Sequence, residues 1–326
     1  MLEHGGNLDL AMQRFGGDAC DWIDLSTGIN RKPYPVGELP ETVWRALPSR
    51  SAIEALHRAA REAYGTTAAI LATNGAQAAI QWLPHLGLPH LAPPGRSRIL
   101  GPTYNEYAAV FSASGWDVRE VSDLEALAGA DIAVLANPNN PDGKRYEPSR
   151  LLALLPRVGR LVVDESFADA APELSLAPAA GRQGLLILRS FGKFFGLAGL
   201  RLGFVAGAET DIAALSAMAG PWPVSGPAIA IGERALSNRE WAKATSARLV
   251  RDSQRLDREV TKLGWTLVGG TLLFRLYETG NAIRAQERLA RAQVWSRVFP
   301  DHNGWLRLGL PGNEAEWARL SAALTG

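Results

Sequence analysis

Five apolar runs of strand length recur between residues 68 and 195, and each stops at a turn rich in Gly, Pro or Asn. They lie in "AAILATNGAQAAIQWL" (68–83), "SRILGPTYNEYAAVFSASG" (97–115), "DIAVLANPNNPDG" (131–143), "RLVVDESFAD" (160–169) and "GLLILRSFGKFF" (184–195), and several lead into a helical pattern. Runs this uniformly apolar belong to strands buried on both faces, so the expected fold class is α/β with a mostly parallel central sheet. Ligands of such sheets gather at the carboxyl ends of the strands. The polar residues of interest all fall there. Before them, "AIEALHRAAREAYG" (52–65) predicts a helix ended by Gly65, and "AGPWPVSGP" (219–227) reads as turns or a linker. From about 226 the pattern changes to one or two long charged helices, then "WTLVGGTLLFRLY", a helical "AIRAQERLARAQ" and "GWLRLGL". That is an α+β pattern for a smaller domain.

Several function classes are excluded by what the chain lacks. A formal net charge of +1 over 326 residues gives no basis for nucleic acid or an anionic membrane as partner. The one cysteine, Cys20, rules out a disulfide framework, and the five histidines show no ligand spacing, so no metal is expected. The first residues lack a basic segment followed by an apolar run, and no run approaches the roughly 18 to 20 residues that span a bilayer. The default expectation is a cytoplasmic location.

Two residues carry the sharpest chemical signal. Asp164 ends the apolar strand "LVVDES", where an ionised carboxylate is costly unless it faces a cation or several donors. It either caps a turn or pairs with a protonated ring nitrogen. Lys193 follows 29 positions later, the only one of five lysines bracketed by aromatics (Phe191, Phe194, Phe195). Desolvation there lowers an amine towards the free form that attacks an aldehyde. Ser190 makes an S-x-x-K with it, the nucleophile motif of penicillin-binding proteins, but no K-T-G accompanies it. Ser190 and Arg201 suit a phosphate, as do the backbone N–H groups where Gly75 and Ala76 open a helix. Asn140, in a rigid Asn-Pro turn, can donate to a phenolate oxygen, and Tyr104 in "GPTYNEY" can lie against an aromatic ring.

Taken in order, Gly-turn, aromatic, Asn-Pro, strand Asp, S-x-x-K and G-L-R-x-G, the chain resembles the fold-type I pyridoxal-phosphate enzymes of the class I/II aminotransferase superfamily from about residue 20 to the end. That resemblance implies an aspartate-aminotransferase-like fold with pyridoxal 5'-phosphate as cofactor. Lys193 would be the covalent anchor, Asp164 the partner of the pyridine nitrogen, Asn140 the donor to the ring hydroxyl and Tyr104 the stacking ring. Ser190, Arg201, Gly75 and Ala76 would hold the cofactor's phosphate. Arg307, in "WLRLGL", would bind a substrate carboxylate.

Within the superfamily the chain is most similar to the threonine-phosphate decarboxylases of cobalamin biosynthesis, with histidinol-phosphate aminotransferases as the alternative. The marks are "HGGN" (4–7) before "DLSTGIN" (24–30), "AGPWPVSGPA" (219–228), and Phe167 where aminotransferases carry a Tyr. The resemblance assigns His4, Gly5 and Gly6 to the substrate's phosphate and Asn30 to a place near its carboxylate. It implies residues 1–40 as a segment closing the site, 41–225 as the cofactor domain and 226–326 as the small domain. A phosphorylated amino acid is the expected substrate, and a homodimer the expected assembly. Four positions depart from the family pattern: Gly192 stands where Ser or Thr is common, Asp142 for a Thr, Arg31 for a Pro, and Leu47 where a Tyr reaches a phosphate.

Overall fold

The structure, a computed structural model, describes residues 5–88 and 93–325. Packing divides the chain into two compact units, one of residues 34–140 and 145–240, the other of residues 1–33, 141–144 and 241–326.

The larger unit holds a seven-stranded sheet: β1 (Ala69–Thr73), β2 (Arg96–Leu100), β3 (Asp117–Val121), β4 (Ile132–Ala136), β5 (Arg160–Asp164), β6 (Leu185–Ser190) and β7 (Gly203–Gly207). Their spatial order is β1-β7-β6-β5-β4-β2-β3, and β7 runs antiparallel to both its neighbours while the other pairings are parallel. Every residue of β4, β5 and β7 is buried, as expected of strands covered on both faces, including the charged Arg160 and Asp164 that bound the apolar run of β5. The expected α/β fold with a mostly parallel sheet is the observed one.

Local chemistry sets the element ends. In the helix Arg50–Tyr64 the Ser49 side chain accepts from the Ala52 N–H, and Gly65 closes the last turn at φ 64°. That left-handed cap is one a residue with a side chain adopts at a cost. The charged stretch after 226 forms two helices, Gly226–Ser237 and Arg239–Thr261. The first packs against Arg50–Tyr64 within the larger unit, and Gly232 allows it, since a Cβ there would meet Leu202 and Leu56.

The second unit contains a four-stranded antiparallel sheet of β8 (Thr266–Gly270), β9 (Phe274–Glu278), β10 (Arg297–Phe299) and β11 (His302–Gly309), ordered β10-β11-β9-β8. The helices Ala282–Arg291 and Glu314–Thr325 belong to the same unit. Arg31 is held here by a two-pronged bond to Glu316, at 2.8 and 2.7 Å. This partly buried pair raises the guanidinium and lowers the carboxyl, so a structural clamp occupies the position where the family commonly has Pro. Among the described residues no helix is long and apolar enough to cross a membrane, and no cluster of His, Cys, Asp or Glu is arranged to hold a metal.

Candidate active site

In the larger unit, five strands deliver polar groups at their carboxyl ends. β1 ends at Thr73, whose hydroxyl donates to the Gly75 carbonyl at 2.9 Å, and the helix Gly75–Trp82 starts there. Gly75 has φ +74°, and a Cβ on it would lie 2.8 Å from Nη2 of Arg201. Arg201 is itself left-handed, at φ 56°, a conformation that a non-glycine residue adopts only where its surroundings hold it. Gly203 faces Ser190 across the β6–β7 ladder, and a Cβ on Gly203 would sit 2.5 Å from the Ala76 nitrogen. Two glycines therefore let the Gly75–Ala76 turn close onto Arg201 and the end of β6. The result is a cradle of backbone N–H groups, a hydroxyl and a guanidinium, the donor set of a phosphate site.

Asp164, 6% exposed, ends β5. Its Oδ1 accepts from the Ser166 N–H and its Oδ2 from the Tyr107 hydroxyl, both at 2.8 Å. Both partners are neutral donors, so neither supplies the cationic partner that a buried carboxylate favours. Tyr104, in the turn after β2, donates from its hydroxyl to Oε1 of Gln77 at 3.2 Å, while Gln77 donates to Glu106. Burial first, then Glu106 and Asp164, push the Tyr104 phenol up to about 12, and Arg201 opposes them.

The turn after β4 separates its three asparagines by role. Asn137 donates to the Tyr146 and Leu174 carbonyls, and Asn139 donates to the Pro102 carbonyl and accepts from Thr103. Asn140 ends the turn half-buried. Glu165 and Arg189, the sequence neighbours of Asp164 and Ser190, pair with each other at 2.8 Å in a buried cluster with Asp169 and Ser175. That cluster ties the two strand ends together without using either site residue.

Lys193 lies on the one-turn helix Phe191–Phe194 directly after β6. The Phe167 ring faces its Nζ, 5.8 Å to the centroid and 7% exposed. Of the three bracketing phenylalanines, Phe191 and Phe195 stack on each other at 4.3 Å, and Phe194 meets Phe195 edge-on. Gly192 also has a packing reason: a Cβ there would lie 2.8 Å from Cα of Ala198. Gly192→Ser is therefore expected to destabilise the fold by about 1 to 3 kcal/mol, despite restoring the hydroxyl common in relatives. Urea unfolding of the cofactor-free protein measures this, and an unchanged midpoint would refute it.

In the second unit, Arg307 lies on β11 directly opposite Arg297 on β10. Like charges in that register repel. Burial first, and then Arg297, push the Arg307 guanidinium down to about 9, with Asp24 opposing. Arg307 donates to the Ser26 carbonyl at 2.7 Å and lies over the Phe274 ring at 5.0 Å. The same Ser26 receives the Gly6 N–H on its hydroxyl at 2.7 Å, and a Cβ on Gly5 would come within 2.5 Å of its carbonyl oxygen. Gly5, Gly6 and Arg307 thus meet around one serine. His4 lies outside the described residues. Asn30, 3% exposed, turns its Oδ1 to Arg248 (2.7 Å) and to the Lys32 N–H (3.1 Å). Asp142 accepts from the Lys144 N–H at 3.0 Å, closing its own turn. Leu47 is 67% exposed.

Sequence reasoning missed Tyr107, Arg248 and Arg297. Tyr107 carried a faint signal, three residues after Tyr104 at helical spacing. Arg297 carried none, because its place opposite Arg307 depends on a hairpin register.

A doubly covered sheet with a glycine-lined cradle of donors, a strand-end carboxylate and a lysine at the next strand end defines a class of protein. The family model for aminotransferase class I and II matches residues 42–324, and the chain belongs to that family, whose enzymes depend on pyridoxal phosphate. Its residues fit the group: the cradle suits the phosphate, Asp164 the ring nitrogen, and Lys193 the aldehyde. Among relatives, the chain is 42% identical to a threonine-phosphate decarboxylase of Pseudomonas aeruginosa, over 100% of this chain and 98% of that one. It is 43% identical to a threonine-phosphate decarboxylase of a Sinorhizobium species, over 99% and 97%. The fold is similar to that of the histidinol-phosphate aminotransferase from Sinorhizobium meliloti in complex with pyridoxal-5'-phosphate, with a TM-score of 0.79 at 19% identity, covering 99% of this chain and 94% of that one.

Proposed function

We propose that this protein is a pyridoxal-phosphate-dependent carboxy-lyase that converts L-threonine O-3-phosphate to (R)-1-amino-2-propanol O-2-phosphate and CO2. Its place is the cytoplasmic synthesis of cobalamin. The observation that carries the reading is the Arg297–Arg307 pair, two opposed guanidiniums that suit a substrate with more than one anionic group. The full-length likeness to two decarboxylases supports it.

Bound pyridoxal phosphate supplies an electron sink for the pair left at Cα. Asp164 would pair with the ring nitrogen and keep it protonated. Ser190, Arg201 and the Gly75–Ala76 amides would hold the cofactor's phosphate, Asn140 would donate to the ring hydroxyl and Tyr104 would stack on the ring. Arg307 takes the substrate's carboxylate, while His4, Gly5 and Gly6 belong to its phosphate and Asn30 to the carboxylate side. Phe167 faces Nζ of Lys193 without a hydroxyl and keeps water from that side. The Cα–carboxylate bond breaks, CO2 leaves, and a proton from Nζ of Lys193 takes its place at Cα. Trp44 and Leu47, 66% and 67% exposed, suit burial against a second copy in a homodimer.

The test is incubation of the cofactor-loaded protein with threonine phosphate. Equal amounts of CO2 and 1-amino-2-propanol phosphate are expected. A keto acid formed with 2-oxoglutarate would instead make the protein an aminotransferase and end this reading.

A further inference from the structure

We propose that Tyr107 is a positioning residue for Asp164: its hydroxyl and the Ser166 amide hold one carboxylate oxygen each and fix the plane in which that carboxylate meets a cationic ring nitrogen. The inference rests on the reading of Asp164 given above.

Tyr107 stands in the first turn of the helix Glu106–Ala113 and is 0% exposed. Its ring is clamped in the core that includes Ile99, Val110, Val134 and Val162, and it meets the Tyr104 ring edge-on at 6.3 Å and 85°. A ring held on all sides leaves its hydroxyl a single direction. That direction ends on Oδ2 of Asp164, across 57 residues of sequence. A phenylalanine would fill the same space, so packing does not account for the hydroxyl; the carboxylate does.

The two grips on Asp164 differ in kind. The Ser166 bond is local, made two residues along the same chain, and leaves the carboxylate free to turn about that one contact. The Tyr107 bond comes from a helix that follows β2, with β4 lying between β2 and β5 in the sheet. Together they remove the rotation. Each carboxylate oxygen can accept two hydrogen bonds and here receives one, so each keeps capacity for a cationic donor. Burial and the neighbouring carboxylate raise the Tyr107 phenol well above its ordinary value, so the proton stays on the tyrosine and the hydroxyl acts as donor throughout. A charge-assisted bond depends steeply on alignment, which is what a two-point grip secures.

The experiment compares the affinities of the cofactor-free protein for pyridoxal phosphate and for its analogue with a CH group in place of the ring nitrogen. The analogue keeps the phosphate, hydroxyl and aldehyde and lacks the atom that meets Asp164. In Tyr107→Phe the preference for pyridoxal phosphate is expected to fall about tenfold, with affinity for the analogue unchanged, as for loss of a hydrogen bond to a charged group. An unchanged preference, or an equal loss for both compounds, overturns the proposal, because a packing role alone would weaken both alike. Asp164→Asn separates the two layers. If that variant keeps the wild-type preference, the assignment of Asp164 fails; if it loses the preference and Tyr107→Phe does not, the inference about Tyr107 alone fails.

Discussion

Lys193→Ala protein is expected to lose the absorption band of covalently anchored cofactor and to turn over threonine phosphate about 10⁴-fold more slowly than wild type. One side chain serves two purposes in the proposed reaction: it is the covalent anchor, and it delivers the proton that replaces CO2. Alanine removes both. The substitution should leave the fold intact. The Phe191–Phe195 stack and the Phe194 edge contact do not pass through Lys193, and the side chain is only half-buried. The phosphate cradle is built from other residues, so cofactor should still bind noncovalently and be lost on gel filtration. Absorption spectra before and after filtration, with a urea melt beside them, check each part. Retention of the band, or a rate within tenfold of wild type, would remove Lys193 from the mechanism.

Arg307→Met is expected to lower kcat/KM for threonine phosphate by about 10² to 10³, mostly through KM, with the cofactor band unchanged. Truncating one partner of a desolvated, hydrogen-bonded charge pair typically costs that much. The fold should tolerate the change. Arg307 is 6% exposed and faces Arg297, so methionine removes a buried charge and its repulsion while filling similar space. The Ser26 carbonyl loses a donor in return. The two effects oppose each other, and stability should stay within about 1 kcal/mol of wild type. Steady-state kinetics and a urea melt of the same sample measure both. A large loss of stability with unchanged KM would make Arg307 a structural residue and leave the substrate's carboxylate unassigned.

What could be read beforehand was what the chain writes in continuous stretches. Five apolar runs with turns after them predicted the sheet, and Asp164, Ser190 and Lys193 appear in order at the ends of consecutive strands. A strand end displays its last residues whatever the rest of the molecule does, so motif and position coincide there. Contacts between distant stretches were not legible in this way. Phe167, remote from Lys193 in sequence, brings its ring over Nζ. Gly192 looked like a lost hydroxyl; the structure shows that the approach of Ala198 leaves no room for one. Arg31 looked like a missing proline and is a clamp on Glu316.

By itself, then, the sequence determined the class of fold from its apolar runs and, through the family its ordered motifs resemble, the cofactor, and it singled out Lys193 as the proposed anchor; each lies within one or two adjacent elements. Only the tertiary structure decided which groups hold those residues in place. Tyr107 reaches Asp164, Arg297 comes to face Arg307 and Arg248 turns the amide of Asn30. Each of these depends on the packing of elements that are remote in the chain, where a shift of one residue in register or a fraction of a helical turn would choose a different partner.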